Sequence, residues 1–136
     1  MQDESGYIGK VEKIRLQWNF PEDMVYSIIK ADGHCLFRAI AHIMDGNQEN
    51  WATYRKIAYN EISNNKRYYS GLVSIDKEDR NFSDKEFKYI ADHLDGINNF
   101  ADSVPESAWG GQLDILAIAD NLKAKVVVYK SILTIL

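Results

Sequence analysis

From Leu113 to Leu122 apolar residues fill two faces of one helical period, with Leu113, Leu116 and Ala117 beside Asp120 on one and Ile115, Ile118, Ala119 and Leu122 on the other. A helix apolar on two faces must be enclosed, so the rest of the chain has to wrap it. With 136 residues, 46% of them hydrophobic and 26% charged, the chain has the profile of one globular domain with a single core and no second domain. The run that follows, Lys125-Val-Val-Val-Tyr129, is β-branched and reads as an interior strand.

Upstream, Tyr7 to Phe20 has loosely spaced apolar residues closed by Pro21, which suits a short helix or an arm. Met24 to Ile29 is short and apolar and reads as extended, leading into an Asp32-Gly33 turn. Leu36, Ala39, Ile40 and Ile43 then recur at helical spacing until Asp45-Gly46 stops them. Trp51, Tyr54, Ile57, Ala58 and Ile62 predict a second helix ending at Ser63-Asn-Asn65, its aromatic face in the core. Ile75 to Asn81 is charged and aperiodic, a solvated surface loop. Ser83 and Glu86 fit a capping box for a helix carrying Phe87, Ile90, Ala91 and Leu94, ended by Gly96. A loop through Pro105 then reaches Trp109-Gly110-Gly111. The expected fold is α+β, helices packed around a small β-sheet.

A net charge of −4 supplies no basic stripe for phosphate neutralisation, which argues against a nucleic-acid partner. No apolar run of about 18 residues and no basic leader at Met1 appear, so neither a membrane span nor a secretory signal is expected and the default address is cytoplasmic. The one cysteine can form neither an internal disulfide nor a Cys-rich zinc site, and no metal or cofactor is expected. Cys35 is therefore either a buried thiol or a working one.

The pattern puts Cys35 at or near a helix start, where unpaired amides and the helix dipole favour negative charge and hence a thiolate. Gly33 can adopt an unusual φ, so the turn Asp32-Gly33-His34 could aim backbone amides at one point and form an oxyanion hole. Spacing alone leaves the plainer reading ahead, because a lone Cys at a helix start is more often a small buried hydrophobe.

The stretch Asp32-Gly33-His34-Cys35-Leu36-Phe37-Arg38-Ala39-Ile40 resembles the nucleophile motif of the ovarian-tumour (OTU) cysteine proteases, the deubiquitinase family. Ala108-Trp109-Gly110-Gly111-Gln112-Leu113-Asp114-Ile115-Leu116-Ala117-Ile118-Ala119 is similar to the family's second signature, and Val126 to Tyr129 resembles the strand after it. The resemblance covers roughly Ile28 to Tyr129. It implies an OTU-like catalytic domain over 28–136, incomplete at its C-terminus, and the pattern before it makes 1–27 an N-terminal arm or helix. It implies that Cys35 attacks an isopeptide carbonyl of a ubiquitin or ubiquitin-like conjugate, and that Asp32 and the backbone of its turn, Gly33 and His34, shape the oxyanion pocket. The Trp109-Gly110-Gly111 turn lies by analogy near the substrate channel, and is also readable as a plain helix-start turn with a core Trp.

The family's general base is a histidine on a strand beyond the Val-Val-Val-Tyr element, and this sequence has no histidine after His93. His34 falls at a variable position of the motif and reads as a turn residue. His42 lies seven residues after Cys35 on the same helix, about 10 Å along its axis and out of reach. His93 could serve as a fallback base only if the fold departs from the family's. An isopeptidase, a ubiquitin-binding pseudoenzyme and a fragment without a stable fold all stay open at this point, with ubiquitin the expected partner. The cytosol of a host cell is an alternative address if the protein is a secreted effector.

Overall fold

The computed structural model describes residues 27–73 and 84–128, and residues 29–126 form one compact unit. Among the described residues five α-helices follow one another: α1 (Cys35–Asp45), α2 (Trp51–Asn64), α3 (Lys66–Leu72), α4 (Asp84–Ile97) and α5 (Gln112–Leu122). Short 3₁₀ turns at Gln48–Asn50 and Glu106–Ala108 precede α2 and α5. The expected arm over Tyr7 to Phe20, the loop over Ile75 to Asn81 and the Ser83 cap lie outside the described residues.

Helix α2 packs against α1, α4 and α5, which makes it the centre of the unit. Its stripe delivers Tyr54, Ala58 and Ile62 to the core, as the spacing predicts, while Trp51 and Ile57 pack on its margin. Phe37, Ile40 and Ala41 enter from α1, Ile90, Leu94 and Ile97 from α4, and Leu113, Ala117 and Ile118 from α5. The α5 helix is enclosed on one side only, since Leu116 is exposed and Ile115 half-buried.

The boundaries have local causes. Gly46 ends α1 in the left-handed conformation, φ 68°, its N–H donating to the His42 carbonyl. Gly96 does not stop α4 as its position suggests. The helix runs on to Ile97, and the glycine's missing side chain instead makes room for the Ser107 carbonyl of the second 3₁₀ turn. Helix α3 was not predicted, because seven residues give too short a period to read. Tertiary contact holds it: Tyr69 is fully buried, and its hydroxyl donates to Asp120 Oδ2 on α5 at 3.1 Å.

The α+β expectation is wrong for this structure: it is helical, with no strand among the described residues. Neither 27–30 nor 124–128 has regular structure, and Val126, Val127 and Val128 are 40%, 58% and 53% exposed. A β-branched run records how side chains suit a pleated surface, but a strand exists only when a second chain segment completes its ladder. The described residues supply none.

Candidate active site

Cys35 is the first residue of α1 and is solvent-exposed, which removes the buried-hydrophobe reading of a lone cysteine. His34 is the N-cap and makes no side-chain hydrogen bond to the opening amides, so the first turn's N–H groups are left uncapped at the end of the helix that carries the thiol.

Three polar residues hold the turn before it. The Asp32 carboxylate accepts from the His34 amide at 3.1 Å and from Arg38, with Nε at 3.1 and 3.2 Å and Nη2 at 2.7 Å. One turn amide is thereby spent inward on Asp32 and cannot serve an oxyanion. Both partners of this bidentate pair are buried, and Arg38 also reaches Glu49 Oε1 at 3.1 Å. Burial pushes the Asp32 carboxyl up, but the Arg38 hydrogen bonds, the His34 amide and the Arg38 charge outweigh it and hold the group below its ordinary value of 3.8. Arg38 is raised in turn, first by those same bonds.

Gly33 has φ +92°, and a Cβ there would run into the side chain and carbonyl of Val104. The Val104 N–H donates to the Asp32 carbonyl at 3.0 Å, so the 98–105 connection lies directly on the turn. That conformation and that approach are both open only to glycine.

His34 is fully buried with both ring nitrogens engaged. Nδ1 accepts from Arg55 Nε at 3.1 Å, so Nε2 carries the proton and donates to the Ala101 carbonyl at 2.7 Å. The ring stacks on Trp51 with centroids 3.6 Å apart. Burial lowers His34 from 6.5, with the Arg55 charge adding to the effect against the Ala101 bond, so the ring is neutral and structural.

Arg55 is the largest fully buried side chain. Besides His34 it donates to the carbonyls of Gly33 at 3.2 Å, Ile97 at 3.1 Å and Ala108 at 2.8 Å, and its guanidinium lies 4.5 Å from the Phe37 ring centroid. Sequence reasoning gave no role to Arg55, and took Arg38 only as part of the motif and Trp51 only as a core aromatic. One signal was available: Trp51, Arg55, Ala58 and Ile62 share a stripe of α2, and a charge on a buried stripe marks a fixed polar contact.

The second signature meets the first through Gly110. A Cβ on Gly110 would stand 2.6 Å from Leu36 Cδ2 and 2.9 Å from the Phe37 ring, so the Trp109-Gly110-Gly111 turn sits on the first turn of α1. Trp109 itself is half-exposed, not a core residue. The Gly111 N–H donates to Asp114 Oδ2 at 2.8 Å, which caps α5.

His93 pairs elsewhere. Its Nε2 lies 2.8 Å from Asp114 Oδ1, its ring stacks on Tyr89, and it borders a cleft of about 250 Å³ with Leu72, Leu113 and Leu116 that Cys35 does not line. His42 lies in the last turn of α1. None of the three histidines is placed as a proton acceptor for Cys35. Among the described residues no cluster of His, Cys, Asp and Glu could hold a metal ion, and no helix is long and apolar enough to cross a membrane.

Comparison with curated proteins and with solved structures returned no match. A family model described as OTU-like cysteine protease matches residues 30–134, a span that takes in both signatures and more than half of the chain. On that match the chain belongs to the OTU-like cysteine protease family.

Proposed function

We propose that this protein acts on ubiquitin or ubiquitin-like conjugates, with Cys35 as the nucleophile that attacks the isopeptide carbonyl. The observation that carries the reading is the exposed Cys35 thiol at the uncapped start of α1, on a turn that polar contacts hold in place. Acyl transfer needs such a group, because a thiolate next to helix-start amides is both favoured and directed. Asp32 contributes by holding the turn through Arg38, and the oxyanion donors come from the first amides of α1, since the His34 amide is bound to Asp32. Trp109, half-exposed beside Gly110, which packs on α1, borders the channel for an extended substrate tail.

A second reading, a ubiquitin-binding protein without turnover, is favoured by the histidines: His34 has both ring nitrogens engaged and His93 is held by Asp114. Purified protein and a Cys35→Ala control would be treated with a ubiquitin probe carrying a C-terminal thiol-reactive group. Cys35-dependent labelling supports the isopeptidase. Binding of ubiquitin without labelling supports the inactive form, and neither labelling nor binding refutes both.

A further inference from the structure

We propose that Arg55 is a positioning residue for Cys35, its guanidinium fixing the turn that presents the thiol. The inference rests on Cys35 being the reactive group.

The argument starts from a cost. A guanidinium with no exposed surface has lost its hydration, and such a charge is retained in a core only when something compensates it. None of the hydrogen-bond partners of Arg55 is a carboxylate: it bonds three carbonyl oxygens and one imidazole nitrogen. The nearby carboxylates are committed, Asp32 to Arg38 and Asp114 to Gly111 and His93. Two of the four bonds, to Gly33 and His34, fall on the two residues just before Cys35. The other two, to Ile97 and Ala108, tie the end of α4 and the second 3₁₀ turn to the same centre.

One side chain on α2 thus joins the nucleophile turn to the start of the Trp109-Gly110-Gly111 segment, and the two signatures keep their register through it. The planar fork is what allows four acceptors in fixed directions at once, and a lysine ammonium would not match them. Desolvation depresses Arg55, and the charges of Asp114 and Asp32 oppose it without bonding to the guanidinium.

The test uses the whole chain and iodoacetamide, for which the single cysteine gives an unambiguous mass shift. Alkylation rates across pH 5–10 would be compared for wild type, Arg55→Lys and Arg55→Gln, with circular dichroism to check folding. Loss of the bonds to Gly33 and His34 in Arg55→Gln loosens the turn and should slow alkylation roughly tenfold. Arg55→Lys, which keeps the charge without the fork, should lose nearly as much. A folded Arg55→Gln that alkylates with the wild-type profile overturns the proposal.

If neither variant folds, the wild type decides. The Arg55 Nε–H, bonded to the residue before Cys35, should shift its resonance when Cys35 is alkylated, and treatment of Cys35→Ala should leave it unmoved. A resonance indifferent to Cys35 overturns the proposal. Iodoacetamide requires no ubiquitin, so a chain that ignores the ubiquitin probe but shows Arg55-dependent alkylation would lose the proposed function and keep this inference.

Discussion

Replacing Asp32 by Asn is the perturbation that most directly probes the turn. Asn keeps the shape and one acceptor oxygen but removes the charge that neutralises Arg38, which is buried and whose other carboxylate partner, Glu49, is exposed. Breaking a buried ion pair from one side costs about 3–5 kcal/mol, because the remaining charge stays desolvated. At about 4 °C per kcal/mol for a chain of this size, the melting temperature should fall by about 12–20 °C. Replacing both partners, Asp32→Leu with Arg38→Met, should restore much of the loss, since an apolar pair of similar volume is often neutral or better.

Acid sensitivity gives a separate check. Asp32 is depressed in the folded state, so its contribution is complete above its ordinary value of 3.8 and is lost as the pH falls from there through the folded value. His34 is depressed as well, so destabilisation on its account begins as the pH falls below 6.5. Asp32→Asn should flatten the lower limb of the stability curve and leave the upper one. A thermal shift below about 4 °C, together with a double variant no more stable than the single, would refute the assignment of the pair as the clamp of this turn.

Gly110→Ala should destabilise by about 1–3 kcal/mol in urea unfolding, because the new methyl meets Leu36 and the Phe37 ring in a packed corner. Asp114→Ala removes the acceptor for the Gly111 amide and for His93 from a fully buried site, and should cost about 2 kcal/mol in the same assay. His93→Gln should leave the rate of Cys35 alkylation unchanged. A large fall would return His93 to the list of candidate bases.

Elements whose cause is local could be read from the residues alone. The period of Leu36, Ala39, Ile40 and Ile43 placed Cys35 at a helix start, Gly46 marked the end, and the stripe from Tyr54 to Ile62 found the core face of α2. The two signatures were legible as contiguous strings, because the residues that shape a tight turn are neighbours in the chain. Tertiary structure decided the rest. The Val126 to Val128 run looks like a strand in isolation and forms none here, since pairing depends on a partner that the run does not encode. Gly96 marks a close approach by the turn at Ser107 where it read as a stop. His34 could not be known as a neutral, doubly bonded core residue until Arg55, 21 positions away, and Ala101, 67 positions away, were brought to its two nitrogens. The period of a helix is written in adjacent residues, whereas the partner of a buried polar atom is fixed only when distant segments close around it.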